Sequence, residues 1–228
     1  NIDVLLGLSP KFNLSHVIKG ECALEEIIID GPGGIKIIPA SSGSASMSDL
    51  TPAVNAGVIR SFSELTQPVD TLLIDTAAGL SDSVVSYLRA AREVIVVVCD
   101  EPASITDAYA MIKVMARDFG VQRFHILANQ THSIQQGREL YMKIFKVSEK
   151  YLDVTLDFLG TVPYDDYLKK AVQKQKCVIE TYPRSPSALA FRQIAKKALQ
   201  WPIPRNMEGH LEFFIERLIN YSTQENRL

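Results

Sequence analysis

Short apolar runs alternate along this sequence with longer segments in which apolar residues recur at helical spacing. The short runs have the length and the β-branched content of buried strands, and a polar loop follows each of them. The longer segments have the spacing of amphipathic helices, as in Thr51–Leu65 with Val54, Val58 and Phe62 on one face. The predicted strands are Ile35–Ser41, Thr71–Asp75, Glu93–Asp100, Gln122–Ala128 and Leu156–Val162.

This alternation of at least five strands with helices predicts an α/β fold, in which right-handed crossovers build a parallel sheet with helices on both faces. Glu93–Asp100 is the most β-branched run, and we expect it to be buried on both faces. Asn1–Leu8 is predicted to be a strand end or a loop. Ser104 is expected to cap a helix that runs to about Phe119. The other predicted helices are Ser83–Ala91, Ser133–Tyr151, one that follows Asp166, and Ser185–Leu199.

Length and composition suit one α/β domain followed by a tail. The chain has 228 residues, of which 46% are hydrophobic, enough to bury a full core. Trp201-Pro202-Ile203-Pro204 interrupts the helical pattern, because proline cannot continue a helix. We therefore predict a domain over residues 1–200 and a linker with an amphipathic tail over residues 201–228.

Charge and cysteine content exclude some classes of function. The net charge of −2 and the pI near 6.1 give no basic excess for the nucleic acid backbone, so direct nucleic acid binding is not expected. Cys22, Cys99 and Cys177 form no metal or disulfide pattern and are expected to be reduced packing residues. The sequence also has no apolar run long enough to cross a membrane. These features predict a cytoplasmic protein.

Asp75 is the first candidate for chemistry. It follows the apolar run Thr71–Ile74, and small residues then lead through Gly79 toward a helix. Ligands bind at the carboxyl edge of an open α/β sheet, and an acid there commonly holds Mg²⁺ through water beside nucleotide phosphates. The alternative is an acid at the end of a strand or at a helix N-cap, with no ligand.

Polar residues follow the later strands in the same way. Asp100-Glu101, Asn129-Gln130 and the loop Pro163-Tyr164-Asp165-Asp166 should meet Asp75 at one edge of the sheet, where they suit a nucleotide site. The Asn129 amide can both donate to and accept from a purine edge. The alternatives are a turn asparagine and, for Asp165 or Asp166, a favourable charge at a helix N-terminus.

Taken as an ordered set, these motifs resemble the MinD/ParA group of deviant Walker P-loop ATPases, which have a SIMIBI-type P-loop NTPase fold. The likeness spans roughly residues 1–199. Within the group, Glu101-Pro102-Ala103-Ser104-Ile105-Thr106-Asp107-Ala108-Tyr109 resembles the regulators of flagellar number called FlhG or FleN. The other motifs are Ile37-Ile38-Pro39-Ala40-Ser41, Leu73-Ile74-Asp75-Thr76-Ala77-Ala78-Gly79, Asn129 and Gly160-Thr161-Val162-Pro163.

The resemblance implies roles for single residues. Asp75 would be the Walker B acid near Mg²⁺, and Gly79 would belong to the second switch loop. Asn129 and Gln130 would read adenine. Pro163, Tyr164 and Asp166 would lie beside the base. Glu101 would lie near the cofactor and, together with Ser104 and Asp107, near the face where two subunits meet. Asn1 and Asp3 would belong to the first switch region.

A glycine-rich phosphate loop of the family's kind does not occur within residues 1–228. The resemblance implies that this loop, its two lysines and the aspartate that orients the attacking water precede Asn1. A phosphate cradle needs backbone N–H groups and a lysine to offset the charge of the triphosphate. We therefore expect residues 1–228 alone not to hydrolyse ATP.

The tail has an apolar stripe at helical spacing, and it predicts an amphipathic C-terminal helix. In the family such a helix targets the membrane and is released when ATP drives dimerisation. Here the polar face carries acids, whereas anionic lipid favours Lys and Arg, so docking on the protein's own domain is the alternative. The two are compatible if the helix docks in the monomer and is exposed in the dimer. The stripe consists of Met207, Leu211, Phe214, Ile215 and Leu218.

The leading hypothesis is a cytoplasmic ATPase that dimerises with ATP and Mg²⁺ and acts as an antiactivator, controlling flagellar number. The resemblance implies an AAA+ type flagellar transcription activator as its partner, with flagellar assembly proteins and the inner membrane surface as further contacts. One alternative is a MinD-type ATPase that positions division or cargo. From another class, the alternative is a non-catalytic protein-binding module.

Overall fold

The structure is a computed structural model that describes residues 2–40, residues 50–202 and Phe213. The chain divides into two compact units, residues 1–92 with 203–228, and residues 93–202. The predicted boundary between a domain at 1–200 and a tail at 201–228 stays a prediction.

The first unit contains short helices and one pair of two-residue strands. Its elements are α1 (Ile2–Leu5), α2 (Leu14–Ile18), β1 (Ile29–Asp30), β2 (Lys36–Ile37), α3 (Pro52–Ser61) and α4 (Asp82–Ala90), with 3₁₀ turns at Leu24–Ile27, Pro32–Gly34 and Phe62–Glu64.

Three expectations for this unit were wrong, and two of them concern segments before α3. The segment expected to be a strand end or a loop at Asn1–Leu8 contains the helix α1. The expected buried strand at Ile35–Ser41 is reduced to β2, which pairs antiparallel with β1 across the Pro32–Gly34 turn. Ile37 is buried in this short hairpin, whereas Ile35 is 53% exposed.

Asp75 does not follow a regular strand. In the described part of the chain, Thr71–Ala77 belongs to no sheet, so the strand predicted at Thr71–Asp75 was wrong. Side-chain burial still alternates: Leu72 and Ile74 pack against the core, whereas Leu73 between them is 80% exposed. The segment is amphipathic with period two, but the described residues supply no neighbouring strand for its backbone groups.

The core of the first unit joins residues from distant parts of the sequence. Val58, Ile59 and Phe62 from α3 and the following turn pack with Leu14 and Ile27. Phe213 is buried in the same cluster, where its ring meets the Phe62 ring at right angles, 5.1 Å between centroids. Its backbone N–H donates to the carbonyl oxygen of Ala90 at 3.3 Å.

The second unit is a parallel sheet covered by helices. Its strands β3 (Ile95–Val98), β4 (Arg123–Thr131) and β5 (Thr155–Pro163) lie side by side in that order. The sheet described here thus has three parallel strands rather than five or more, because the two expected strands of the first unit do not join it. Its helices are α5 (Pro102–Phe119), α6 (Ile134–Tyr151), α7 (Asp166–Gln173), α8 (Val178–Thr181) and α9 (Pro186–Ala198).

Helices cover both faces of this sheet, as predicted. Neighbouring residues of β4 point to opposite faces. Leu127 packs in a cluster with Phe191 and Ile194 of α9, whereas Ala128 faces Gly137 of α6. By contrast, β3 lies at an edge of the described sheet and its Val97 is 54% exposed, so the expectation of a strand buried on both faces was wrong there.

Serine caps begin two of the helices at the predicted places, at Ser133 and Ser185. The expected cap at Ser104 was wrong, because α5 begins earlier, with Glu101 at the N-cap and Pro102 in the first turn. The Ser104 hydroxyl instead accepts a hydrogen bond from the backbone N–H of Cys99 at 3.0 Å.

Within the residues that the structure covers, no helix is long and apolar enough to cross a membrane. Cys22, Cys99 and Cys177 are all unbridged and partly buried.

Gly137 allows α6 to approach the sheet closely. A Cβ atom at this position would lie 2.0 Å from Cγ2 of Thr161 and 3.3 Å from Cβ of Ala128. Rotation of the β-branched Thr161 cannot clear both contacts. We expect Gly137→Ala to lower the free energy of unfolding by about 1–3 kcal/mol, as overpacked cores do.

Urea unfolding of Gly137→Ala should be compared with that of Gly57→Ala, in the exposed face of α3. There an added Cβ meets no described atom within 4 Å. Replacing this helical glycine by alanine should therefore raise the free energy of unfolding by up to about 1 kcal/mol. Equal stability of the two variants would contradict the close packing of α6 on β4 and β5.

Candidate nucleotide site

The carboxyl ends of β4 and β5 are bonded to each other. Asn129 pairs with Val162, and Thr131 pairs with Pro163. The backbone N–H of Tyr164 then donates to the carbonyl oxygen of Thr131 at 2.9 Å. The ladder therefore brings Asn129 and Gln130, which are predicted to read adenine, close to Pro163 and Tyr164, which are predicted to contact the base.

Gln130 forms a bulge within this ladder. Its φ is 53°, in the left-handed region that non-glycine residues rarely adopt. The register shifts between Asn129 and Thr131, so Gln130 has no partner on β5 and its side chain is exposed. Bulges of this kind redirect side chains and are common next to active sites. The sequence predicted a loop after Ala128, but nothing in it indicated a bulge.

The end of β3 contacts the side of Asn129. The parallel register that aligns Val98 with Ala128 places Cys99 beside Asn129. Burial raises the pKa of the Cys99 thiol, the charge of Glu101 raises it further, and a hydrogen bond with the Asn129 side chain acts in the opposite direction. The half-buried Asn129 side chain thus lies next to the end of the neighbouring strand.

The two acids that follow β3 have different surroundings. The Asp100 carboxylate accepts hydrogen bonds from Nζ of Lys143 at 2.7 Å and Nε2 of Gln136 at 3.1 Å, and the Lys143 bond is the main cause of its lowered pKa. Glu101 is exposed at the N-cap of α5, and its side chain makes no capping hydrogen bond. Of these two acids, Asp100 is therefore the one whose carboxylate is bonded to α6.

Asp165 fixes the loop after β5. It is 8% exposed, and its carboxylate accepts from the backbone N–H of Tyr167 at 2.9 Å and from N–H and Oγ of Ser187 at 2.9 and 2.6 Å. Burial tends to raise its pKa, but the hydrogen bonds from Ser187 and Tyr167 outweigh burial and lower it. Asp166, which was predicted as the site residue, is exposed one position further on.

Tyr164 is 44% exposed, as a residue that stacks on a ligand would be. Nζ of Lys169 lies 2.5 Å from its hydroxyl oxygen and 4.4 Å from its ring centroid. The hydrogen bond with Tyr164 raises the pKa of Lys169. Pro163 beside it is half-buried at the end of β5.

The remaining predicted residues are distributed between the two units. Asp75 and Gly79 are exposed in the first unit, and Gly79 has a φ of 97°, which suits a glycine. Asp3 is buried there, at 5% exposure. Ser104 and Asp107 lie in the first two turns of α5, in the second unit. Asn1 is outside the described residues, and the roles of all these positions stay predictions.

Only one residue of the predicted tail helix region is described. Met207, Leu211, Phe214, Ile215 and Leu218 are outside the described residues, so the amphipathic helix stays a prediction. Phe213, which the helical stripe did not include, is buried in the core of the first unit. The sequence indicated this packing of Phe213 only through the apolar character of its side chain.

The described side chains include no group of three or more His, Cys, Asp or Glu that could hold a metal ion. A magnesium ion at this type of site takes most of its ligands from phosphate and water, so a single acid suffices from this part of the chain. The predicted role of Asp75 needs no more than that.

Comparison with known proteins establishes the family. Residues 51–199 match the ParA family, described as NUBPL iron-transfer P-loop NTPase. The chain is 54% identical to the antiactivator FleN of Pseudomonas aeruginosa over 221 residues, which cover 97% of this chain and 79% of that protein. It is 28% identical to the flagellum site-determining protein YlxH of Helicobacter pylori, covering 97% and 76% of the two chains.

Solved structures agree on the fold. The septum site-determining protein MinD of Pyrococcus horikoshii, complexed with Mg-ADP, matches with a TM-score of 0.67 at 22% identity, over 88% of this chain and 79% of that one. MinD of Aquifex aeolicus matches with a TM-score of 0.68 at 17% identity, over 90% and 82%. This chain belongs to the ParA family of P-loop NTPases. The resemblance and the fold class predicted from the sequence are confirmed.

Asp165→Asn should weaken the fold at neutral pH and not in acid. A carboxyl group with a lowered pKa in the folded state stabilises that state above its unfolded pKa, near 4, and loses the effect as the pH falls through the folded value. Loss of a buried cap should cost about 1–2 kcal/mol at pH 7.

Thermal unfolding of Asp165→Asn and Asp166→Asn across pH 2–8, a range set about the ordinary carboxyl pKa, checks this expectation. The exposed Asp166 accepts no hydrogen bond from Ser187, and its replacement should cost less than about 1 kcal/mol at any pH. A stability difference between Asp165→Asn and the parent that does not shrink in acid would contradict the role of the Asp165 carboxylate.

Proposed function

We propose that this protein is an ATP-binding and ATP-hydrolysing regulator of flagellar number that acts as an antiactivator. The observation that carries the proposal is the 54% identity to the antiactivator FleN, extending over 97% of the chain rather than over the NTPase motifs alone. The 28% identity to the flagellum site-determining protein YlxH, again over 97% of the chain, supports a flagellar role.

The nucleotide chemistry assigns separate tasks to separate residues. Asn129, which lies beside Cys99, and Gln130 on its bulge would contact adenine, with Pro163 and Tyr164 on the other side of the base. Asp75 has an exposed carboxylate that suits a water-mediated contact with Mg²⁺. Bound Mg²⁺ would neutralise charge that develops on the phosphates.

Partner binding would follow the nucleotide state. ATP would favour a homodimer through a face that includes Glu101, Ser104 and Asp107, and the regulator would bind a flagellar transcription activator of the AAA+ type. A cytoplasmic location fits this partner. Contact of the tail with the inner membrane surface, and binding to flagellar assembly proteins, are further parts of the proposal.

A division or positioning role of the MinD type is the second candidate. The septum site-determining protein MinD of Bacillus subtilis is 24% identical over 90% of this chain. The much higher identity to FleN favours the flagellar role. A non-catalytic binding module is the remaining alternative, and it would require neither adenine contacts nor the Asp75 carboxylate.

Asp75→Asn should abolish catalysis in a chain that also carries the glycine-rich loop expected before Asn1. Removing the carboxylate that positions magnesium-bound water should lower ATP turnover by about 100-fold. Phosphate release under steady-state conditions measures this effect. Asp70→Asn, another exposed acid of the same segment, is the matched control and should keep the parent rate. Parental turnover by Asp75→Asn would exclude its assignment as the Walker B acid.

Partner capture should separate the two ATPase candidates. With ATP and Mg²⁺, the immobilised protein should retain a purified AAA+ flagellar transcription activator and should not retain a purified division inhibitor. Bound fractions can be quantified at physiological salt, with ADP as the reference state. Retention of the division inhibitor alone would overturn the flagellar proposal in favour of the MinD-type role.

A further inference from the structure

Two tyrosines and two lysines form an ordered cluster on α7 and the segment after α8. The rings of Tyr167 and Tyr182 lie 5.0 Å apart. Nζ of Lys170 lies 5.4 Å from the centroid of the Tyr167 ring, and Nζ of Lys174 lies 5.5 Å from that of Tyr182. Lys174 also donates to the Tyr182 hydroxyl at 3.0 Å. We call these four residues, with Arg184, the tyrosine–lysine patch.

The patch borders an open groove of about 350 Å³ at the surface of the second unit. Tyr167, Tyr182 and Arg184 line the groove, together with the backbone turn that leads into α9. Tyr167 is 49% exposed, although tyrosine is a residue that proteins commonly bury in part. Nη1 of Arg192 donates to the carbonyl oxygen of Pro183 behind the groove, which fixes the turn and adds positive charge.

Charge in this region runs opposite to that of the whole chain. The sequence has 24 basic and 26 acidic residues, with a net charge of −2. Between residues 166 and 184, five exposed basic residues face only two exposed acids, Asp166 and Glu180. The basic residues are Lys169, Lys170, Lys174, Lys176 and Arg184.

The polar groups of the patch are hydrogen-bond donors. Lys and Arg can only donate, and a tyrosine hydroxyl can donate to a carboxylate. Nζ of Lys170 lies over the Tyr167 ring, whereas Nζ of Lys174 is bonded to the Tyr182 hydroxyl, so both ammonium groups are held beside the two rings. Anionic oxygens satisfy the lysines and hydroxyls together, and in a protein partner these are the carboxylates of Asp and Glu.

We propose that the tyrosine–lysine patch binds an acidic segment of a protein partner. Resting on the proposed function, that partner is the flagellar transcription activator. Tyrosine and arginine are frequent among the residues that dominate binding energy at interfaces, and complementary charge raises the association rate. The patch thus supplies both an aromatic anchor and the electrostatic attraction.

A pair of charge reversals tests this assignment. Lys170→Glu/Lys174→Glu changes two exposed lysines spaced by four residues, one on α7 and one at its C-cap. Lys146→Glu/Lys150→Glu is the matched control, because it changes two exposed lysines with the same spacing on α6. Both variants receive the same change in net charge, so a difference between them reports position rather than total charge.

Two binding measurements follow. The first uses the purified activator with ATP and Mg²⁺, and the patch variant should bind at least about tenfold more weakly than the parent, while the control variant changes less than about twofold. The second uses a fluorescein-labelled glutamate-rich peptide and its glutamine counterpart. The parent and the control variant should bind the glutamate peptide only, and the patch variant should bind neither.

The outcomes separate the two proposals. If parent and patch variant bind the activator equally well, the patch assignment is overturned and the proposed function stands. If the parent binds no activator but binds the glutamate peptide through the patch, the activator proposal fails and an acidic partner is retained. The patch variant can also be compared with the parent for binding to phosphatidylglycerol vesicles and to single-stranded DNA. If the patch variant loses either of these activities but still binds the glutamate peptide as the parent does, the acidic-peptide proposal is overturned.

Discussion

The hydrogen-bonded ladder between β4 and β5 is the constraint on which the second unit depends. Phe124–Ala128 is buried throughout, so the central strand has helices on both faces and its backbone groups must be satisfied by neighbouring strands. The ladder continues to Thr131 and Pro163, beyond the buried run. As a result, the polar residues at the carboxyl edge are held by the same bonds that hold the core, and Asn129 and Tyr164 cannot move apart without opening the sheet.

A second constraint fixes the loop that leaves this ladder. Asp165 is a buried carboxylate, and burial of an unpaired charge would be costly. Its cost is offset by donors from Tyr167 and Ser187, which lie 20 residues apart in sequence, on α7 and α9. The loop around Tyr164 is therefore tied at one end to β4 and at the other to the start of α9. This arrangement gives the predicted base contact a defined position although Tyr164 itself is exposed.

The sequence predicted the second unit well because its signals were local and strong. The β-branched run before Cys99, the helical period of α6 and the serine caps at Ser133 and Ser185 each determine their element directly. The segment before Asp75 has equally apolar residues, but a strand requires a partner, and pairing is a property of distant residues. The bulge at Gln130 and the choice of Asp165 over Asp166 depend on contacts with β5 and Ser187, which no local pattern encodes.

Fold similarity and functional similarity support different conclusions here. MinD structures share the fold at 17–22% identity, and one fold can serve many functions, so that likeness alone assigns neither substrate nor partner. Asp75, Asn129 and Pro163 do not distinguish a flagellar from a division regulator, because the resemblance to the whole MinD/ParA group rests on them, whereas Glu101–Tyr109 resembles the flagellar regulators in particular. The proposed partner contact therefore lies on a surface away from these three residues. The tyrosine–lysine patch is such a surface: its charge is opposite to that of the whole chain, and Lys170 and Lys174 are occupied by tyrosine rings rather than by acids.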